Sequence, residues 1–129
     1  KPFDAVQKEN TDYRPFLIGL TRDRAELYER INQRVDIMFE SGLLSEIESL
    51  RKMGYTGEEP GLSAIGYREF FTSETDIEKI RVSIKHDTKR YAKRQETFFK
   101  SFNFAESVNP EDFEKIQEKI SCFFKEYNF

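Results

Sequence analysis

Cations crowd one stretch of this 129-residue chain. Between Lys79 and Lys100 stand Lys79, Arg81, Lys85, Lys89, Arg90, Lys93, Arg94 and Lys100, against only Asp87 and Glu96. The stretch nets +6, which leaves −9 for the remainder of a chain whose total is −3. Lys85, Lys89 and Lys93 recur every fourth residue, so on a helix they share one face, with Arg90 and Arg94 beside them. Like charges at that spacing destabilise an isolated helix by a few tenths of a kcal/mol per pair, roughly, and an anionic partner relieves the repulsion. Phosphates neutralised by Lys and Arg are such a partner, with affinity that falls steeply as salt rises. Tyr91, Phe98 and Phe99 lie among the cations and carry rings able to stack on unpaired bases. The alternative from charge alone is an ordinary solvated basic face.

A second group is Ser63-Ala64-Ile65-Gly66-Tyr67-Arg68. Its glycine permits close backbone approach, and its neighbours can donate hydrogen bonds to a phosphate backbone. Read alone, it is a helix start with a packed tyrosine. Enzyme signatures are missing: there is no Gly-rich phosphate loop ending in Lys-Ser/Thr, no GxGxxG and no HExxH. The single histidine, His86, cannot assemble a metal cluster with its neighbours and reads as a surface residue. The acidic residues are scattered and read as solvated. The chain by itself is therefore expected to catalyse nothing.

The positioning elements follow from periodicity. Residues 1–14 are polar and irregular; Pro15 then introduces Phe16-Leu17-Ile18-Gly19-Leu20, a short apolar run that reads as a buried strand. It has no second strand of similar quality in the sequence, so it is expected to be an orphan whose partners lie upstream, outside the chain. Thr21 reads as the cap of a helix carrying Leu27, Ile31, Val35 and Met38. Ser41-Gly42 breaks it, and a second helix carries Leu43, Ile47 and Leu50 as far as Met53-Gly54. A loop over 54–63 and a short helix over Ser63–Thr72 come next. Thr75-Asp76-Ile77-Glu78 reads as a capping box opening the longest helix. Its stripe of Ile77, Ile80, Ile84, Tyr91, Phe98 and Phe102 predicts that Tyr91 and Phe98 face the core. Asn109-Pro110-Glu111-Asp112 starts a last helix with Phe113, Ile116, Ile120, Phe123 or Phe124, and Tyr127. Within it, Cys122 is expected to be a small buried hydrophobe. A lone cysteine, with no apolar signal stretch near Lys1, points to a reducing, cytoplasmic setting. No apolar run approaches the ~20 residues of a membrane span.

Three motifs also carry a resemblance. DRAELYERINQRVDIMFESGLLSEIESL at 23–50, SAIGYREF at 63–70 and TKRYAKRQETFFK at 88–100 resemble tRNA dimethylallyltransferases, in that family's order and spacing. The resemblance covers roughly residues 15–104; residues 105–129 match nothing beyond a helical tail, and Lys1-Pro2-Phe3 looks like the end of a segment before the last strand of that family's core. It implies a mainly α fold, four to five helices plus one orphan strand, as the C-terminal part of a P-loop-kinase-like α/β transferase. Residues 1–20 would close the missing core and 21–129 would be the helical tRNA-binding region.

The implied activity is transfer of a dimethylallyl group from dimethylallyl diphosphate to the exocyclic amine of the adenosine beside the anticodon, flipped out to be reached. Mg²⁺ and the catalytic residues would belong to the full-length enzyme, a monomer without membrane contact, and not to this chain. Ser63, Ala64, Ile65, Gly66, Tyr67 and Arg68 are expected at the anticodon stem-loop. So are Lys89, Arg90, Lys93 and Arg94, as its electrostatic grip, with Gln95, Thr97, Phe98, Phe99 and Lys100. Arg34 looks like the arginine that reaches the donor diphosphate, with Arg30 the second choice. Three departures stand out: Ser63 where the family has Gln, Phe98 where it has Trp, and Lys100 where Arg is common, the last losing bidentate geometry on phosphate. From the residues alone, a non-catalytic RNA-binding module and a protein-interaction bundle remain open.

Overall fold

The computed structural model describes residues 16–102 and 107–126. Expectations for residues 1–15 and for Tyr127 lie outside the described residues. The chain divides into two compact units, one of residues 22–102 and the other of residues 1–21 with 103–129.

In the larger unit, α1 (Arg24–Glu40), α2 (Leu43–Lys52) and α3 (Ile77–Phe99) surround a core of Val35, Phe39, Leu43, Ile47, Phe70, Ile80 and Ile84. Asp23, not Thr21, caps α1: its carboxylate accepts from the amides of Ala25 and Glu26. At the break after Ser41, Gly42 takes φ 102° and opens α2 directly. Asp76, not Thr75, caps α3, accepting from the amides of Glu78 and Lys79. Both substitutions follow one rule, since a carboxylate at the boundary is a stronger acceptor for orphan amides than the neighbouring hydroxyl. Between α2 and α3 run two 3₁₀ turns, Pro60–Ser63 and Arg68–Phe71. The helix expected over Ser63–Thr72 does not form. Gly66 sits at φ +101°, left-handed backbone that ends any helix passing through it, and a Cβ there would stand 3.3 Å from Met38 Cε.

Helices α1 and α3 run antiparallel, as their long-range pairs record: Arg81 over the Phe39 ring, Lys85 on Asp36, Arg24 on Glu96. With 17 residues against 23, α1 is shorter by about 9 Å at 1.5 Å per residue. The core reaches α3 only at Ile80 and Ile84. Tyr91 and Phe98, expected inside, are 48% and 60% exposed.

In the smaller unit, β1 (Gly19–Leu20) pairs in parallel with β2 (Ser107–Val108), Gly19 opposite Ser107 and Leu20 opposite Val108. The strand expected to be an orphan has a partner downstream in its own chain, a segment too short to show a strand period. The amide of Thr21 continues the ladder by donating to the Val108 carbonyl. Phe16, Leu17 and Leu20 are exposed, contrary to the buried reading; Gly19 and Val108 are the buried members. Helix α4 (Phe113–Glu126) stacks Phe123 on Phe16 with centroids 4.7 Å apart. The Asn109–Asp112 signal forms a turn ahead of that helix, and the Asp112 carboxylate caps it by accepting from the Lys115 amide. Cys122 is exposed, because α4 buries none of its residues among those described.

Ile84 is the test of the larger core, being 1% exposed. Ile84→Ala is expected to lower unfolding free energy by about 2–5 kcal/mol. Val82→Ala, on the exposed side of the same helix, should change it by no more than about 0.5 kcal/mol. Denaturant titrations of both variants check the assignment of faces.

Candidate nucleic-acid interface

An open cleft of about 540 Å³ lies within the larger unit, where α1, the 63–68 segment and the middle of α3 meet. Val35, Met38 and Ile84 contribute its apolar floor, and Arg34, Arg68 and Arg94 stand on its walls with Ser63, Thr88 and Tyr91. Arg34 and Arg94, the two of these guanidinium groups without an ion pair among the described residues, suit with the apolar floor a ligand that has an anionic end and a flat or apolar body.

The structure separates the two arginines singled out on α1. Arg34 lines the cleft, whereas Arg30 is tied to Glu26 at 3.1 Å on the helix surface and is not among the cleft residues. Glu26 also accepts from Arg22, and that contact, ahead of the Arg30 one, holds its carboxyl below the ordinary range.

On α3 the cations divide by position. In the first half they are held internally: Lys79 by Glu74 at 3.7 Å, Arg81 by Asp36 at 3.7 Å and by Glu78, Lys85 by Asp36 at 2.7 Å. Lys89 lies over the Tyr28 ring at 5.6 Å, and Arg90 stands 3.9 Å from Asp87. Lys93, Arg94 and Lys100 form no ion pair among the described residues; Arg94 sits 5.9 Å above Tyr91. Beside them Phe98, Phe99 and Phe102 make an exposed aromatic group, with centroids 5.2 to 6.2 Å apart. Gln95 donates to the Tyr91 hydroxyl at 3.4 Å, and Thr97 turns its hydroxyl back to the Lys93 carbonyl.

The 63–68 segment is occupied internally in ways its sequence conceals. Gly66, Tyr67 and Arg68 all donate their backbone amides within the fold, to Glu69 and to the Ala64 carbonyl. The Tyr67 hydroxyl donates to Glu46 at 2.9 Å, and that bond raises its pKa. Ile65 packs against the core, leaving Ser63 and Ala64 as exposed residues at the cleft edge. Arg68 is exposed but pinned: one terminal nitrogen donates to Asp87 at 2.7 Å and its Nε to Glu69 at 3.1 Å.

Sequence reading missed Glu69 and Asp87. Glu69 is a carboxylate only 5% exposed, not part of a solvated surface. The available signals were an acid immediately after Arg68 and a rare acid inside the basic stretch. Among the described residues no three His, Cys, Asp or Glu side chains converge on a point that could hold a metal ion. No helix among them is long and apolar enough to cross a membrane.

Comparison with known proteins defines the class. The family model described as IPP transferase matches residues 1–102. The tRNA dimethylallyltransferase of Alkaliphilus metalliredigens is 46% identical over 108 residues, which is 81% of this chain and 35% of that protein. That of Acetivibrio thermocellus is 38% identical over 134 residues, 98% of this chain and 42% of its own length, so the similarity extends into the tail, beyond the three motifs. The crystal structure of the tRNA delta(2)-isopentenylpyrophosphate transferase from Staphylococcus epidermidis superposes with TM-score 0.75 at 31% identity, over 89% of this chain and 39% of that one. The chain belongs to the IPP transferase family, and it spans well under half the length of these relatives.

Arg68 beside Asp87 holds that carboxyl below its ordinary value. A lowered folded value means that the contribution is complete above the ordinary aspartate pKa of about 4 and disappears as pH falls through the folded value. Thermal unfolding scanned from about pH 6 to pH 2 should show an acid limb that is shallower in Asp87→Asn. Superimposable limbs in the two proteins would remove this pair from the account.

Proposed function

We propose that this chain is the RNA-holding part of a tRNA dimethylallyltransferase. The observation that carries the reading lies at the C-terminal end of α3: Lys93, Arg94 and the capping Lys100 are without acidic partners among the described residues, next to exposed Tyr91, Phe98 and Phe99. Cations left free beside exposed rings suit an RNA strand, whose phosphates take the charge and whose unstacked bases take the rings. The relatives' names supply the substrate class, a tRNA, and the reaction, prenyl transfer.

In this reading the anticodon stem-loop lies along the second half of α3 and past Ser63 and Ala64. Arg34, in the cleft, supplies a fixed positive charge for the donor diphosphate, dimethylallyl diphosphate. Its planar guanidinium donates two parallel hydrogen bonds to such a group without changing its own protonation. The target base would enter the cleft over its apolar floor, where exclusion of water strengthens each of these contacts. Catalytic groups and any Mg²⁺ would be held by parts of the enzyme outside these residues.

Fluorescence anisotropy of the chain against a labelled anticodon stem-loop, over a series of salt concentrations, tests the grip. Saturable binding that weakens with salt is expected. Lys93→Glu with Arg94→Glu should raise Kd at least about tenfold and reduce the salt slope by about 1.5–2. Lys79→Glu, in the half already paired, should leave Kd within about twofold. Equal effects of the two reversals would sink the division of α3 into held and free halves. The 129 residues alone should transfer no prenyl group; turnover by the purified chain would refute the assignment of the chemistry elsewhere.

A further inference from the structure

Glu69 is the most buried carboxylate described, and its environment is specific. One carboxyl oxygen accepts from the Gly66 amide at 2.8 Å and the other from Arg68 Nε at 3.1 Å. Arg68 then reaches across to Asp87 on α3 at 2.7 Å. Taking a carboxylate out of water is unfavourable by several kcal/mol, on the order of what a good paired geometry returns, so an ion pair at such a site adds little to stability compared with apolar residues. What it does supply is a single geometry. Gly66 is held in left-handed backbone close to Met38, and from there the chain runs back to Ser63 and Ala64 at the cleft edge. With both carboxylates around it, Arg68 carries little free charge and serves as a strut between the segment and α3.

We infer that Glu69 is a positioning residue for RNA binding: through the Gly66 amide and the Arg68 guanidinium it fixes the 63–68 segment at the edge of the cleft. The inference rests on the RNA-holding reading above. It predicts an effect on affinity without an effect on the number of phosphates neutralised, which separates Glu69 from Lys93 and Arg94.

The test uses Glu69→Gln, which keeps the shape but places a donor where one of two acceptors stood, and Asp87→Asn, which loosens the far end of Arg68 without touching the buried site. Circular dichroism fixes a temperature at which each variant is fully folded. At that temperature, hydrogen exchange of the peptide containing Gly66–Arg68 and anisotropy with the stem-loop are measured on the 129-residue chain. In Glu69→Gln, exchange at these amides is expected to quicken and Kd to rise by about tenfold, with the salt slope unchanged. Asp87→Asn should move both in the same direction by about threefold, and the double variant should do no more than Glu69→Gln alone. Unaltered exchange in Glu69→Gln, or quickened exchange with unaltered affinity, overturns the inference. If Glu69→Gln does not fold, Asp87→Asn decides on the same two readouts. Absence of binding by the unsubstituted chain at low salt is a different result: it overturns the RNA-holding reading, and the positioning role with it, while the exchange data still report whether the carboxylate holds the segment.

Discussion

Burial of Ile80 and Ile84 against Val35 and Phe39 sets the rotation of α3, and with it the fate of every charge on that helix. Once those two isoleucines face inward, Arg81 and Lys85 are carried alongside Asp36, and Asp87 is carried to Arg68. The buried seam on α3 ends at Ile84, although α1 runs beside α3 as far as the Arg24–Glu96 pair. Past the Lys85–Asp36 pair, no acidic side chain of α1 pairs with α3 among the described residues: Tyr28 lies under Lys89, and Arg24 engages Glu96. Apolar packing at one end thus leaves an uncompensated positive field at the other, where field lines from exposed cations reach a Debye length of ~8–10 Å into solvent.

The same arrangement explains why counting cations overstates a binding face. Lysines and arginines that looked equivalent in sequence serve two purposes, joining elements or meeting solvent, and only neighbours from distant parts of the chain decide which. Arg68 is the clearest instance. Its motif suggested a ligand for phosphate, but its nitrogens hold a turn to a helix. Arg34 and Arg30 lie one helical turn apart, and a single glutamate at position 26 is enough to divide them.

Helical periodicity placed α1, α2, α3 and α4 within a few residues, since their apolar spacing is local and repeated. Turn chemistry was less legible. Asp23 and Asp76 displaced the neighbouring threonines as caps, and Gly66 stopped a helix that composition favoured. The cover of α3 could not be read at all, because the stripe from Ile77 to Phe102 has one period along its length while the buried core takes only Ile80 and Ile84 from it. Exposed Tyr91 and Phe98 follow from that mismatch. The β1–β2 pairing joins residues far apart in sequence through two-residue strands, too short to leave an alternating pattern. The motifs of the candidate site were legible and its wiring was not: Ser63, Ala64, Ile65, Arg68, Arg34 and Arg94 line one cleft, but the carboxylates that hold Arg68 carry no spacing signal.

Exposed Cys122 has a practical consequence for work on this protein. It is the chain's only thiol, and it lies in the accessible part of α4 rather than in a core. A maleimide dye or a spin label would therefore attach once, at a known helical position, with no other cysteine to be removed beforehand. The same accessibility lets two copies join through a disulfide when reductant is left out, so a covalent pair is the first artefact to exclude on a non-reducing gel.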